Sequence, residues 1–123
     1  MHYTKLKISS EATSKLRTLK QRTGLTPNLL CRMALMYSLE EGAIEENTPL
    51  PNEDGSEFNA YTLTGEHTDI FISLIYLVEN KPDCTLNNKE LIDMIRTHID
   101  RGISSIFIRV KSSSDLISLV LKA

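Results

Sequence analysis

The chain has 123 residues, 41% of them hydrophobic and 24% charged, which is typical of one globular domain. Its longest apolar run, residues 70–78, is about half as long as the ~18 residues of a membrane-spanning helix. The N-terminus lacks the apolar core of a signal peptide, and Cys31 and Cys84 lack zinc-finger spacing. Membrane, secreted and zinc-finger classes are therefore not expected. We predict a cytoplasmic protein with two free thiols, a disulfide between them being the alternative.

The net charge of −2 conceals an uneven distribution of charge along the chain. Residues 1–36 carry seven basic side chains and one acidic one, residues 37–100 carry three basic and fourteen acidic ones, and residues 101–123 carry four basic and one acidic. A basic segment beside an acidic one indicates a polarised surface whose N-terminal part faces an anion. Solvated helix surfaces explain the same charges equally well, so charge alone assigns no function.

The first element is a short strand. Residues 2–8 alternate in polarity, which places Leu6 and Ile8 on one face and Lys5 and Lys7 on the other. A single strand of this length is not stable alone and needs a partner strand.

Two helices follow this strand. The first is predicted over residues 10–23, between a serine N-cap and Gly24, with basic side chains around an apolar stripe. The second is predicted over residues 27–41, with Thr26 as N-cap and Pro27 at the first helical position. Apolar side chains cover nearly its whole circumference, so a partner subunit or the rest of the chain must bury it.

The remainder begins with an acidic segment that contains proline and glycine, the only predicted boundary inside the chain. Beyond it we predict a strand over residues 58–63 and helices over 66–79, 88–101 and 115–122, with 103–108 as helix or strand. The expected fold is mainly α with a small β ribbon. It would form one domain, 1–123, with three parts: an N-terminal module (1–42), the acidic loop (43–57) and a helical remainder (58–123).

No combination of residues typical of an enzyme active site is present. The three histidines are far apart in the sequence, and GxSxG, HExxH and P-loop motifs are absent. Cys31 lies in the most apolar helix, which favours a buried structural thiol over a nucleophile. His98 is similarly interpreted as a helix residue with satisfied hydrogen bonds. We therefore expect a protein that is not an enzyme and holds neither a metal ion nor another cofactor.

The order of elements in residues 1–42 resembles that of ribbon-helix-helix proteins. In such proteins two chains pair their strands into a ribbon that enters the major groove of DNA. Here the short strand would pair with the same strand of a second chain, and the second helix would form the dimer core. The N–H groups at the start of that helix would bind a phosphate.

Particular segments resemble the DNA sulfur modification protein DndE family over most of the chain. They are Lys7-Ile8-Ser9, Leu16, Leu19-Lys20, TGLTPN (residues 23–28), CRMAL (31–35), Ser38–Gly42, Tyr61–Glu66 and His98–Ile103. The resemblance implies a small bacterial protein encoded with the phosphorothioation machinery, which replaces a non-bridging phosphate oxygen of DNA with sulfur. It also implies an oligomeric, non-catalytic protein that binds DNA and prefers nicked duplexes.

The expected DNA contacts are the basic side chains of the N-terminal module and the start of its second helix. They are Lys5, Lys7, Lys15, Arg17, Lys20, Arg22, Thr26, Asn28 and Arg32. Arg32 stands alone among apolar neighbours, so it is as consistent with a buried structural cation as with a phosphate ligand. The expected oligomer interface consists of apolar residues from the strand and the second helix: Leu6, Ile8, Leu29, Leu30, Met33, Met36 and Tyr37.

The expected function is sequence-independent binding of the DNA backbone within the sulfur-modification complex. The partners would be duplex DNA, preferably nicked, other subunits of that machinery and further copies of the chain in a dimer or a tetramer. Two alternatives remain open at this point. One is an adaptor whose acidic half docks a basic partner, and the other is a ribbon-helix-helix repressor that reads base edges.

Overall fold

The computed structural model describes residues 3–81 and 86–122, so the prediction for Cys84 lies outside the described residues. The elements in chain order are β1 (Lys5–Lys7), α1 (Ser10–Thr23), α2 (Pro27–Glu41), β2 (Glu57–Asn59), α3 (Ala60–Leu63), a 3-10 turn (Gly65–His67), α4 (Thr68–Val78), α5 (Asn88–Arg109) and α6 (Ser113–Lys122). The predicted class, mainly α with a small antiparallel β ribbon, is confirmed. None of the described helices is long and apolar enough to cross a membrane.

The partner strand of β1 belongs to the same chain. β2 runs antiparallel to β1 and places Phe58 opposite Leu6 and Glu57 opposite Lys7. The prediction that β1 depends on the equivalent strand of a second chain is therefore wrong, because β2 already supplies backbone hydrogen bonds. Leu6 and Ile8 are buried in the core of this one chain, which removes both from the predicted oligomer interface.

The apolar helix α2 is largely buried by α5, so the rest of the chain does much of what a partner subunit was expected to do. Gly102, predicted to end a helix, instead lies in the middle of α5, where a Cβ atom would clash with the backbone of Ala34. α5 therefore continues to Arg109, and the ambiguous segment 103–108 is helical. Leu30 lies on the buried side of α2 and is likewise removed from the predicted interface.

The predicted strand over residues 58–63 is only partly correct. β2 ends at Asn59, whose side chain accepts a hydrogen bond from the Thr62 N–H and thereby caps the short helix α3. Local capping outweighs the alternating pattern here, since asparagine is among the best N-cap residues.

Two arginines of α5 hold the acidic loop 43–57 against the core. Arg101 donates hydrogen bonds to the carbonyl groups of Gly42 and Ala43 at its start. Arg96 is buried and donates to the carbonyl groups of Pro51 and Asn52 further along. The loop thus follows the surface of one core, to which residues on both sides of it contribute.

Candidate nucleic-acid interface

The two basic segments of the sequence meet in the fold, because α1 packs along the C-terminal half of α5. Lys15 Nζ donates to Ser104 Oγ at 3.1 Å. Arg22 NH1 donates to the carbonyl oxygens of Phe107 and Val110, at 3.3 and 3.4 Å. These carbonyls lie at the end of α5, where the helix dipole favours a cation.

Three cations surround the half-buried ring of Phe107. The Arg22 guanidinium carbon is 4.8 Å from the ring centre, Lys111 Nζ is 5.7 Å from it and Lys15 Nζ is 5.8 Å from it. All three lie within the range of cation–π attraction. We call Lys15, Arg22, Phe107 and Lys111 the cation–aromatic cluster.

Little negative charge offsets the cluster. Glu11 lies 3.6 Å from Lys15 Nζ, but its side chain is 78% exposed, and an ion pair so exposed contributes little. The Asp115 carboxylate accepts a hydrogen bond from the backbone N–H of Lys111. Within residues 3–81 and 86–122, no carboxylate forms an ion pair with the side chain of Arg22 or Lys111.

Arg17 and Lys20 extend the positive surface around α1. Both side chains are exposed, and neither has a hydrogen bond or ion pair with another residue of the described chain. Their spacing places them on the side of α1 away from Lys15 and Arg22. These two residues and the cation–aromatic cluster form a positive surface that extends around both sides of α1. We call this surface the basic face.

The two predicted lysines of β1 lie in a different environment. Lys5 Nζ is 3.7 Å from Glu57 Oε1. The charged residues that line the cleft of about 510 Å³ at this point are three lysines and three acids: Lys5, Lys7, Lys89, Glu53, Glu57 and Asp93. The carboxylates oppose the positive potential of the lysines, so this cleft is less suited to an anion than the sequence suggests.

Arg32 forms hydrogen bonds to the backbone of its own chain. Its Nε donates to the Leu63 carbonyl at 2.9 Å, and one terminal nitrogen donates to the Thr62 carbonyl at 3.3 Å. Both carbonyls lie in α3, so Arg32 links α2 to α3, and its binding of a phosphate stays a prediction.

The start of α2 gives limited support to a phosphate site. The side chain of Thr26 caps its own helix by accepting from the Leu29 N–H at 3.4 Å. Asn28 Oδ1 is buried without a hydrogen-bond partner among the described residues. An unpaired acceptor attracts a donor rather than an anion.

A buried polar network connects α2, α4 and α5. His98 Nδ1 is 2.8 Å from Ser38 Oγ, and His98 Nε2 is 2.8 Å from Glu79 Oε2. An ionised carboxylate only accepts, so Nε2 donates to Glu79 and Ser38 donates to Nδ1. Burial lowers the pKa of His98 despite the nearby Glu79 carboxylate. The prediction of a histidine with satisfied hydrogen bonds is confirmed.

This network contains the residue types of a hydrolytic triad, but it lacks access for a substrate. Ser38 and His98 are fully buried, and Ser38 Oγ also accepts from Arg101 Nε at 2.8 Å. The network therefore has a structural role. Cys31 is also buried, as predicted, and burial raises the pKa of its thiol to about 12, which keeps it protonated and unreactive at neutral pH.

The outer side of α2 remains apolar and accessible in the single chain. Met36 is 47% exposed and Leu29 is 39% exposed, while Met33 and Tyr37 are partly buried. Beside them is an open apolar cavity of about 640 Å³, with walls that come from α2, α4, α5 and α6.

Fold and surface together define a small helical protein with a positive surface around α1, to which its two basic segments contribute. In the part of the chain that the structure describes, no group of histidine, cysteine, aspartate and glutamate could hold a metal ion. The chain belongs to the DNA sulphur modification protein DndE family, whose family model matches residues 5–114. The family resemblance seen in the sequence is thereby confirmed.

Solved structures show the same relationship. The chain is similar to the crystal structure of DndE from Escherichia coli B7A, a protein involved in DNA phosphorothioation modification, with 25% identity and a TM-score of 0.72 over 85% of this chain and 99% of that one. It is also similar in fold to the crystal structure of a DndE G21/24K mutant, with 23% identity and a TM-score of 0.71 over 86% and 99%. No curated protein matches the chain.

Proposed function

We propose that this protein is a non-catalytic subunit of a DNA phosphorothioation system and binds the backbone of duplex DNA. Membership of the DndE family supports the role in DNA phosphorothioation. The observation that carries the DNA-binding part is the basic face, where cations of α1 meet Lys111 beside the end of α5. Lysine and arginine contacts to phosphates need no particular base sequence, so binding is sequence-independent.

The residues proposed to contribute most to DNA binding differ from those that the sequence predicts. Lys15, Arg17, Lys20 and Arg22 remain the main candidates, and Lys111 joins them. The remaining residues are expected to contribute less. Lys5 and Lys7 lie beside carboxylates, Thr26 caps its own helix, and Asn28 has a buried, unpaired acceptor oxygen.

The net charge of −2 is compatible with this proposal. Exposed charges are screened over about 8 Å at physiological ionic strength, so acidic side chains turned away from the DNA have little influence. The repressor alternative is less well supported, since β1 pairs with β2 of its own chain. The adaptor alternative would use the exposed acidic residues of the loop 43–57.

Nicked duplexes are the proposed preferred form of DNA. Several basic faces in one oligomer contact more phosphates if the duplex bends between them. Bending an intact site by 40–90° costs on the order of 1–6 kcal/mol, and a strand break removes part of this stiffness.

Association of copies through the outer side of α2 completes the proposal. Leu29, Met33, Met36 and Tyr37 repeat at helical spacing, so they form one stripe beside the apolar cavity. An identical stripe on a second copy can pack against it around a two-fold axis, the commonest symmetry of homo-oligomers.

Fluorescence anisotropy with a labelled random-sequence duplex of about 30 base pairs tests the DNA-binding proposal. We expect the logarithm of the affinity to fall linearly with the logarithm of the salt concentration, with a slope of about −0.9 per neutralised phosphate. The double variant Arg17→Gln/Lys20→Gln should weaken binding and make the slope shallower, whereas the control Lys81→Gln, in a cleft lined by glutamates, should do neither. A salt-independent affinity would rule out backbone binding.

A further inference from the structure

The cation–aromatic cluster is compact rather than extended. The cationic centres of Lys15, Arg22 and Lys111 all lie within 5.8 Å of the centre of the Phe107 ring. A surface that only follows a nucleic-acid backbone spreads its cations along a groove, so that each meets a different phosphate. Three cations gathered around one ring instead suit a single ligand with more than one negative charge.

A phosphomonoester carries such a charge. Its second ionisation, with a pKa near 6, gives it about −1.5 to −2 charges at pH 7 and three strong acceptor oxygens. An internal phosphodiester of DNA carries only one negative charge. A monoester can therefore accept from several converging donors at once, and charge-assisted hydrogen bonds of this kind are the strong ones.

The cluster also has donors available for such a ligand. Only one terminal nitrogen of Arg22 is used by the carbonyls of Phe107 and Val110, which leaves the guanidinium with further N–H groups. Lys111 is exposed, and its side chain forms no hydrogen bond or ion pair within the described residues. The ring of Phe107 is half-buried beside these donors.

We propose that the cation–aromatic cluster binds a phosphomonoester at the end of a DNA strand in preference to an internal phosphodiester. This inference rests on the proposed function, because DNA is taken as the source of the phosphate. It adds a distinction between strand ends: the chemical state of the terminus, phosphate or hydroxyl, determines the affinity.

Equilibrium titrations with matched duplexes test this distinction. Each duplex contains the same single-strand break, with either a phosphate or a hydroxyl at the 5′ end, and a third version carries the phosphate at the 3′ end. Anisotropy is measured at one fixed ionic strength for the wild type, for Lys111→Gln in the cluster and for Lys81→Gln as a control in a cleft lined by glutamates. Inorganic phosphate is titrated separately against the free protein, with chloride at equal ionic strength as the reference.

We expect a terminal phosphate to increase the affinity by about tenfold, the effect of one additional charge-assisted contact. Lys111→Gln should reduce this ratio towards one, and Lys81→Gln should leave it unchanged. Equal affinity of the wild type for phosphate and hydroxyl ends would overturn the inference while the proposed backbone binding stands. Tight binding of inorganic phosphate without an end effect would assign the cluster to free phosphate and also overturn it. Failure of every duplex to bind would overturn the proposed function as well.

Discussion

The basic face and the cleft beside β1 contain the same kinds of cation in different surroundings. Lys5 in the cleft lies 3.7 Å from Glu57, and Lys15 in the basic face lies 3.6 Å from the exposed Glu11. The cleft adds the carboxylates of Glu53 and Asp93, whereas Arg22 and Lys111 in the basic face form no ion pair among the described residues. The difference comes from distant parts of the chain. β2 brings Glu57 to Lys5. The C-terminal end of α5 brings to α1 an aromatic ring and two carbonyl groups that accept from Arg22. The affinity of a cation for an anion thus depends on which later segment packs against it.

The largest effect is expected at Arg96, which lies between β1 and the acidic loop. This buried arginine donates to the carbonyls of Lys7, Pro51 and Asn52 and pairs with Asp93 at 3.2 Å. Arg96→Met leaves these groups unpaired and should lower the free energy of unfolding by about 3 kcal/mol or more. Urea denaturation measures this loss, and Lys20→Met is the exposed control. A loss below about 1 kcal/mol, the usual range of an exposed pair, would contradict this account.

The second prediction concerns Met36, which belongs to neither charged region. Because Met36 is 47% exposed in the single chain, Met36→Lys should leave the fold intact. It should nevertheless reduce the proposed oligomer to smaller species, since burying a methionine at an interface is worth about 1.5–3 kcal/mol. Light scattering gives the mass and circular dichroism checks the fold, with Ile108→Lys as a matched exposed control. An unchanged mass would remove the outer side of α2 from the interface.

The third prediction compares the two charged regions directly through DNA affinity. Lys15→Gln/Lys111→Gln should weaken duplex binding by about tenfold or more, since two phosphate contacts are lost. Lys5→Gln/Lys7→Gln should have a smaller effect, because the carboxylates of the cleft already offset these lysines. Anisotropy at one salt concentration measures both. Equal losses would mean that the cleft and the basic face contribute alike.

The smallest effect is expected from the buried network, as a dependence of stability on pH. Burial lowers the pKa of His98 in the folded protein, so the unfolded chain binds the proton more readily. Stability should therefore fall as the pH decreases below about 6.5, the pKa of an unperturbed histidine, by less than about 1.4 kcal/mol per pH unit. Denaturation of the wild type and His98→Gln between pH 7 and pH 5 isolates this contribution. Parallel pH profiles for the two proteins would show that His98 does not titrate in this way.

Features with a local cause could be predicted from the sequence. α1 and α2 have the predicted bounds because Ser9 and Thr26 cap them with their own side chains. Family membership was also recognisable, since its segments are contiguous in the sequence. In contrast, nothing in the sequence indicated that two arginines of α5 would bind the backbone of the acidic loop.

Features that depend on distant contacts could not be predicted. The pairing of β1 with β2 joins residues more than fifty positions apart, and no local pattern specifies such a partner. Gly102 resembles a helix stop in sequence, yet it is required because the backbone of Ala34 approaches it. Phe107 and Lys111 were missed because only the packing of α1 on α5 brings them beside Arg22. The positive charge of residues 101–123 was the one feature of the sequence that could have indicated a contribution of this segment to the basic face.

The hydrogen bonds of Arg22 have a consequence for the energetics of the proposed binding. Its guanidinium is oriented by the carbonyls of Phe107 and Val110 before any ligand arrives. A flexible side chain loses about 0.5–1.5 kcal/mol of conformational freedom when a ligand immobilises it, but Arg22 incurs this loss during folding. In the proposed complex Arg22 would therefore contribute its full contact energy, whereas the contact of the exposed Lys111 would be weakened by the cost of ordering its side chain.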